Sequence, residues 1–319
     1  AMRVYEDAQR RGLAVVNPPT VLGRYRKRDQ AARWSALGLP TPPGGAYDNF
    51  DGLQSVLANA DYPLLLRADA DHCMTDIVRV KDRSSAGRLT SSDVPLPGIA
   101  TPWVDVRRGY PTTGPDRIWG TLYHKMRVYV WGDEVVPDSL YFSRMPTVSL
   151  EASMFHQLWE REQWARRYLR IRPMRRAWCR LIQRRCWVPD IYEREIEFCR
   201  APVANEKVFK DAAEALGLGF VAFDYSTLAD GTPMLWEANP YPDIGRLDKG
   251  LKGTPRRKSE IASIQLRGLA RFFWKLSVTP AIDRPDWRGW ALPATARHLR
   301  RVAVSRGNRP RARSPGSPS

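Results

Sequence analysis

The chain of 319 residues lacks the marks of several common protein classes. It contains no apolar run near the roughly 18 residues that a membrane-spanning helix needs, and residues 1–17 lack the apolar middle of a secretory signal. We therefore expect a soluble, cytoplasmic protein with no membrane span. Hydrophobic residues make up 43% of the sequence, which excludes a wholly disordered chain and allows one large domain or two ordinary ones.

Cysteine and histidine are scarce, with four of each. The cysteines form neither CxxC pairs nor a Cys/His set with zinc spacing, so we expect reduced thiols; they are Cys73, Cys179, Cys186 and Cys199. No nucleophile signature accompanies the histidines, and no GxxxxGK[ST] or GxGxxG segment is present. These absences argue against hydrolase nucleophiles and against the commoner phosphate-binding loops.

Acidic residues are missing from two segments that carry almost all of the net charge of +17. Residues 164–187 hold 9 Arg and residues 297–319 hold 7 Arg. From about Gly307 the second segment is rich in Arg, Pro, Ser and Gly, which predicts a disordered end of the tail. The first alternates Arg with Trp, Leu and Ile around Pro173, and it has two interpretations: an amphipathic helical pair with Trp and Leu turned inward and Arg in solvent, or a surface for a polyanion such as nucleic acid or anionic lipid.

The remaining pattern predicts an α+β protein with antiparallel sheets. Residues 1–45 are interpreted as the end of an αβ unit and a linker, 46–100 as a first subdomain, and 101–276 as a second subdomain with an Arg/Trp-rich insertion near 155–200. Residues 277–319 form the basic tail. The prediction includes a strand over 102–106.

A hairpin predicted over residues 220–240 contains the clearest candidate site in the sequence. Strand alternation places Glu237 and Asn239, together with Leu235, on one face of the return strand. Asp230-Gly231 favours a two-residue turn, and the resulting pairing places Asp224 directly opposite Glu237. Two facing carboxylates repel each other, so something must neutralise them.

Two neutralising arrangements remain open for this hairpin. Two carboxylates and an amide oxygen form a hard ligand set suited to Mg²⁺ or Mn²⁺ held with substrate phosphates. The alternative is a solvated polar face whose carboxylates meet lysines or water.

A second hairpin supplies cations. Lys125 and Arg127 share one face of a predicted strand, and two fixed cations suit a polyphosphate. A turn at Gly132-Asp133 would place Lys125 opposite Leu140 and Arg127 opposite Asp138, so Arg127 has an ion pair with Asp138 as its alternative.

The order of these motifs resembles the ATP-grasp superfamily of ATP-dependent carboxylate ligases. The resemblance rests on NPPTVLGRYRKRDQ, YPLLLR with its polar loop, HKMRVYV, and the closing FDYS…DGTPMLWEANP hairpin, and it covers about residues 17–243 outside the Arg/Trp stretch. It implies an ATP-grasp fold with two α+β subdomains enclosing a nucleotide cleft, preceded by a remnant of an αβ domain. The loop over 68–76 departs from the family because it contains no glycine.

The resemblance also implies roles for individual residues. Asp224, Glu237 and Asn239 would hold Mg²⁺ between the phosphates of ATP. Lys125 and Arg127 would contact the triphosphate and the developing acyl phosphate. The nucleotide contacts would come from Lys27, from Arg67 in place of the family's lysine, and from the segment Trp103, Val104 and Asp105 beside adenine.

The implied reaction is ligation of a carboxylate to an amine, on a small molecule or a peptide. The alternatives are an ATP-grasp kinase, and a catalytically degenerate scaffold that binds nucleic acid or an acidic partner through its Arg-rich segments. The sequence predicts no oligomeric state.

Overall fold

The computed structural model describes residues 2–13, 15–21, 25–69, 77–110, 119–146, 148, 153–154, 168, 171, 173–174, 177–178, 188–242 and 255–278. The helices are α1 (Met2–Arg10), α2 (Lys27–Ala36), α3 (Phe50–Ala58), α4 (Arg83–Ala86), α5 (Val188–Arg200), α6 (Glu206–Leu216) and α7 (Pro255–Val278). The strands are β1 (Gly45–Tyr47), β2 (Leu64–Ala68), β3 (Val78–Val80), β4 (Gly98–Pro102), β5 (Tyr123–Trp131), β6 (Glu134–Ser143), β7 (Phe220–Thr227) and β8 (Pro233–Asn239). The predicted α+β class with antiparallel sheets is confirmed.

The first sheet has the strand order β1-β4-β2-β3, and every pairing is antiparallel. Leu64 and Leu66 of β2 pack with Leu53 and Leu57 of α3 in a separate core. Because side chains alternate along a strand, Arg67 points to the face opposite this core.

The strand predicted over 102–106 is wrong, since the strand lies earlier and ends at Pro102. Its partner β2 begins at Leu64, which pairs with Pro102. The next backbone amide, Trp103 N–H, bonds the Pro63 carbonyl at 2.8 Å, and the chain then leaves the sheet.

The second sheet has the order β6-β5-β7-β8 and is antiparallel throughout. One face forms the main core, in which α2 and α6 cover the strands; it includes Trp34, Val128, Phe209, Phe223 and Leu235. We call this the core face.

The opposite face of the second sheet divides into two ends. At one end Tyr129, Trp131 and Ala222 pack beneath Phe272 of α7. The helix approaches closely at Gly268, where an added Cβ would lie 2.8 Å from Val136 Cγ2. The other end carries the charged residues described below, and we call this face the site face.

Helix α2 contacts both sheets. At its start, Lys27 N–H donates to the Asp69 carbonyl (3.1 Å), and Arg28 Nε donates to the buried Asp69 carboxylate (2.6 Å), just after β2. Farther along, Gln30 bonds the backbone of Ala238 in β8. The helix therefore links the end of β2 to the edge of the second sheet.

The Arg/Trp segment differs from its helical-pair prediction where the structure describes it. Trp178 is 40% exposed rather than turned inward, and its apolar neighbours Tyr168, Ile171 and Met174 are 58%, 60% and 57% exposed. The nine arginines lie outside the described residues, as do loop residues 70–76 and the tail beyond 278. The subdomain boundaries stay a prediction. No helix among the described residues is long and apolar enough to cross a membrane.

Candidate functional site

The β7–β8 hairpin places Asp224 directly opposite Glu237, as predicted. The predicted two-residue turn is wrong, because Leu228 N–H bonds the Thr232 carbonyl at 2.8 Å and three residues form the loop. Gly231 takes a positive φ of 87° there, which glycine adopts without strain. A bulge in β8 at Trp236 adds one residue and restores the facing pair.

The same bulge corrects the predicted position of Leu235. Leu235 pairs with Tyr225 and lies on the core face, whereas Glu237 and Asn239 lie on the site face. The two-residue period holds on either side of Trp236 but not across it.

A bulge in β6 also changes the predicted pairing of the cation hairpin. The turn at Gly132-Asp133 forms, with Trp131 opposite Glu134. From Arg127 onward the register shifts by one, so Arg127 lies opposite Ser139 and Lys125 opposite Tyr141. The predicted pairs with Asp138 and Leu140 are therefore wrong.

The cations of β5 meet the carboxylate of β7 across the sheet, where Arg127 pairs with Asp224. Arg127 Nε lies 2.6 Å from Asp224 Oδ1, and its Nη2 lies 3.1 Å from Oδ2. Lys125 Nζ lies 2.9 Å from Oδ2. Burial opposes ionisation of Asp224, but the charges of Arg127 and Lys125 outweigh it and hold its pKa well below the usual range.

Asp224 therefore has lysine and arginine partners, as the alternative interpretation of the hairpin expects. Both of its oxygens are engaged in this structure. A cation that binds Asp224 from outside must compete with these two partners.

Two further cations, Lys27 and Arg67, act on Glu237. Lys27 Nζ of α2 is 3.8 Å from Glu237 Oε1, and Lys27 is buried. Burial lowers the pKa of Arg67, and the charge of Glu237 partly offsets that effect. Nε of Arg67 has no hydrogen-bond partner within the part of the chain that the structure describes.

A small open cavity lies between the facing carboxylates on the site face. It is lined by Arg127, Ala222, Asp224, Glu237 and Asn239. Asn239 Oδ1 accepts a bond from Tyr241 N–H at 2.8 Å. Four cations, Lys27, Arg67, Lys125 and Arg127, surround two carboxylates, which leaves an excess of positive charge that suits a polyphosphate.

The donor chemistry at this cavity fits a magnesium ion. Carboxylate and amide oxygens are hard ligands, and Mg²⁺ is usually bound by one or two carboxylates together with substrate phosphates. No group of three or more His, Cys, Asp or Glu side chains that could hold a metal occurs among the described residues. The candidate set is therefore an open site of two carboxylates and one amide, which relies on a ligand to complete the coordination.

The segment predicted to meet adenine lies between the two sheets. Trp103 packs edge-on against Tyr123 with ring centroids 6.1 Å apart, and the guanidinium of Arg79 lies 4.2 Å above its ring. Asp105 pairs with Arg107 at 2.5 Å. Because the Trp103 N–H already bonds Pro63, its backbone donor is committed to the first sheet; the role of Trp103, Val104 and Asp105 stays a prediction.

Sequence reasoning missed the hydrogen bonds that three polar residues make near the site. Asn17 Nδ2 donates to the carbonyls of Phe220 (2.5 Å) and Pro240 (3.1 Å), at the ends of β7 and β8. Gln30 bonds Ala238, and Asp138 accepts bonds from Gln265 and Ser139 near Arg127. Only the left-handed backbone of Asn17, at φ 56°, has a sequence signal, because asparagine tolerates that conformation.

No family model matches the chain, and no curated protein matches it. Among solved structures it is similar to the ATP-grasp ligase PsnB in complex with precursor peptide PsnA2 and AMPPNP (16% identity, 82% of this chain, TM-score 0.43). It is also similar to the L-amino acid ligase from Bacillus licheniformis (14%, 82%, 0.41) and to N5-carboxyaminoimidazole ribonucleotide synthetase from Thermotoga maritima (11%, 82%, 0.41). The chain spans 65% of the PsnB structure and 52% and 55% of the other two. The likeness concerns the backbone fold.

Proposed function

We propose that the chain is an Mg·ATP-dependent ligase of the ATP-grasp type, which joins a carboxylate to an amine. The observation that carries the proposal is the charge arrangement on the site face. Asp224 and Glu237 face each other across two strands, and cations from β5, α2 and β2 surround them. Such an arrangement suits a metal–polyphosphate complex, because the carboxylates can take the metal and the cations can take the phosphates.

Asp224, Glu237 and Asn239 are the residues that would hold Mg²⁺. When bound, the ion would neutralise phosphate oxygens and orient the polyphosphate. Lys125 and Arg127 bond Asp224 now, and phosphate oxygens offer them acceptors of the same charge in its place. Binding of Mg·ATP then amounts to an exchange of partners at Asp224.

Lys125 and Arg127 also carry the chemical step in this proposal. A substrate carboxylate oxygen attacks the γ-phosphorus, the bond between that phosphorus and the β–γ bridging oxygen breaks, and ADP leaves. Two fixed cations stabilise the charge that develops on the transferring group and the bridging oxygen. An amine nitrogen then attacks the acyl carbon, the C–O bond to phosphate breaks, and the amine loses a proton as phosphate departs.

The experiment is calorimetric titration of ATP with and without Mg²⁺ on the natural chain and on Glu237→Gln. The natural chain binds ATP more tightly with Mg²⁺, and the variant loses most of that difference because it lacks one metal ligand. Equal binding with and without Mg²⁺ in the natural chain contradicts the proposal. Release of ADP that requires both a carboxylate and an amine then separates a ligase from a kinase, which needs no amine.

Glu214→Gln is the matched control. Glu214 is exposed on α6, which covers the core face, so the same loss of charge occurs away from the site. Its titration matches the natural chain. An Asp224 variant is less informative here, because Asp224 also neutralises two partly buried cations.

A second candidate function is binding of single-stranded nucleic acid by the segment 164–187. The observation that favours it is the exposure of Tyr168 and Trp178 in a stretch with nine arginines, since bases stack on exposed aromatic rings between cations. Fluorescence anisotropy of a labelled oligonucleotide tests it at low and high salt. Binding that weakens with salt and is lost in an Arg175→Glu, Arg176→Glu variant supports it, and no binding at low salt contradicts it.

A further inference from the structure

Strand β8 is the edge of the second sheet, and its outer side is covered by a segment from the beginning of the chain. An edge strand presents unpaired N–H and C=O groups. Here Leu235 N–H bonds the Pro40 carbonyl at 2.8 Å, and the Leu235 carbonyl accepts from Thr41 Oγ1 at 3.2 Å. Pro40 and Thr41 thus occupy the side of β8 where a fifth strand would pair.

Gln30 makes the pair of bonds that a neighbouring strand would make. Its Oε1 accepts from Ala238 N–H at 2.8 Å, and its Nε2 donates to the Ala238 carbonyl at 2.8 Å. The second proton of Nε2 is directed to the Tyr25 carbonyl at 2.6 Å. The side chain is 1% exposed, so these bonds form away from water.

The bonds to Ala238 matter for the site because Ala238 lies between two of the proposed metal ligands. Ala238 lies on the core face between Glu237 and Asn239, and both neighbours lie on the site face. Fixing both peptide groups of Ala238 therefore fixes the two proposed metal ligands on either side of it.

Because of the bulge in β8, two registers are conceivable for the end of this strand. Without the extra residue at Trp236, the pairing set at the turn would continue, and Trp236 instead of Glu237 would lie opposite Asp224. A slip of one residue moves every side chain of a strand to the other face. The bonds from Gln30 come directly after the bulge and hold the register in which Glu237 faces Asp224.

Gln30 belongs to a buried stripe along α2 with Lys27 and Trp34. Lys27 reaches Glu237, and Trp34 Nε1 donates to the Ala212 carbonyl at 3.2 Å in the core. One helix therefore supplies a cation to the site, holds the strand that bears the carboxylate, and is itself anchored at its far end.

We infer that Gln30 is a positioning residue that sets the register of β8, and so holds Glu237 and Asn239 opposite Asp224 for the metal. This inference rests on the proposed function for its metal-binding consequence. The register itself is a property of the polypeptide and has its own measurement.

The test compares Gln30→Met with the natural chain. Methionine fills nearly the same volume and makes neither bond to Ala238. Two quantities are measured: hydrogen exchange of the Ala238 amide, and the Mg²⁺ concentration needed for half-maximal tightening of ATP binding. We expect exchange at Ala238 to be about ten-fold faster and the Mg²⁺ requirement to be about ten-fold higher. ATP affinity without Mg²⁺ stays within about two-fold, because the cations are unchanged.

Trp34→Phe is the control for general weakening of α2. It removes the bond to Ala212 and leaves both bonds to Ala238 in place. If Trp34→Phe raises the Mg²⁺ requirement as much as Gln30→Met does at similar stability, Gln30 acts only through the stability of the helix and the inference is overturned.

The two proposals fail separately. If the natural chain shows no Mg²⁺-dependent ATP binding, the proposed function fails; exchange at Ala238 then tests whether Gln30 holds the backbone of β8, and unchanged exchange in Gln30→Met overturns the inference. If Mg²⁺ tightens ATP binding in the natural chain and to the same extent in Gln30→Met, the function stands and the positioning role of Gln30 is overturned.

Discussion

Phe223 and Asp224 are neighbours in β7, and they point to opposite faces of the second sheet. Phe223 is fully buried on the core face, with the ring of Trp34 5.9 Å away and that of Phe209 6.0 Å away. Asp224 is also 91% shielded from solvent, yet its neighbours are Lys125 and Arg127. Two adjacent residues of one strand are thus both buried, Phe223 among apolar side chains and Asp224 among charged ones.

The difference separates what stabilises the fold from what serves the site. Burial of apolar surface stabilises the core face without specific partners. On the site face, each charge depends on another charge, and buried ion pairs add little net stability because desolvation offsets the attraction. We therefore expect substitutions on the core face to change stability, and substitutions on the site face to change binding.

The largest expected effect belongs to Phe223→Ala on the core face. Removing a fully buried ring leaves a cavity, and the free energy of unfolding falls by about 4 kcal/mol. Urea denaturation measures the change. Phe273→Ala, in which a 57% exposed ring on α7 is removed, serves as the control and changes stability by less than about 0.5 kcal/mol. A similar loss of unfolding free energy in both variants would contradict the expectation that burial on the core face stabilises the fold.

The buried His124 makes the stability of the folded chain depend on pH. It is fully buried, its Nε2 accepts from Thr227 N–H at 3.1 Å, and burial lowers its pKa to about 4. Between the unfolded pKa of about 6.5 and about 4, the unfolded chain binds a proton that the folded chain does not. The free energy of unfolding therefore falls as the pH falls through this window, by at most about 3 kcal/mol.

Urea denaturation at about pH 7 and about pH 4 tests this dependence, with His124→Gln as the comparison. Glutamine can accept the Thr227 bond without titrating, so the variant loses less stability on acidification than the natural chain. An equal loss in both chains would assign the acid sensitivity to the carboxylates instead.

The sequence predicts the facing carboxylates correctly because two departures from regular pairing cancel. The loop after Leu228 is one residue longer than the predicted turn, and the bulge at Trp236 compensates. At Asp138 a single bulge has no such counterpart, and the predicted partner of Arg127 is wrong. Alternation of side chains cannot reveal a bulge, since an extra residue depends on packing and twist rather than on residue type.

Contacts between residues that are far apart in the chain are harder still to predict from the sequence. Gln30 is 208 residues from Ala238 in the chain, and a glutamine in a polar helix gives no sign of a backbone partner. Only the family resemblance implies roles for Lys27 and Arg67, because no local pattern places α2 and β2 beside Glu237. The turn at Gly132-Asp133 and the alternation of side chains along β5 depend on near neighbours, and for that reason they could be predicted.

On the site face, Asp224→Asn should have a moderate effect on stability. It leaves Lys125 and Arg127 without their carboxylate, but their side chains are 18% and 26% exposed and regain some hydration. We expect the free energy of unfolding to fall by about 2 kcal/mol, which urea denaturation measures. The lowered pKa of Asp224 implies the same sign, since this stabilisation is present above the carboxyl's unfolded pKa and is lost as the pH falls through its folded pKa.

Asp138→Asn is the matched control, because Asp138 also lies near Arg127. Burial raises the pKa of Asp138, although the charge of Arg127 opposes that effect. Its ionised form is therefore disfavoured, and its neutral replacement costs less than about 1 kcal/mol. Equal losses at positions 138 and 224 would show that Arg127 does not distinguish the two carboxylates.

A smaller effect on stability than that of Asp224→Asn, with the sharpest loss of binding, is expected for Glu237→Gln. The Glu237 side chain is 21% exposed, and Lys27 Nζ lies 3.8 Å from it, at the limit of an ion pair. Neutralising it lowers the free energy of unfolding by about 1 kcal/mol, because Lys27 is buried but its contact with Glu237 is long and Glu237 keeps some hydration, whereas Mg²⁺-dependent tightening of ATP binding is lost. Urea denaturation and calorimetry on the same preparation measure both quantities. A large loss of stability with binding intact would make Glu237 a structural residue, and would move the functional part of this face to Asp224 and the cations of β5.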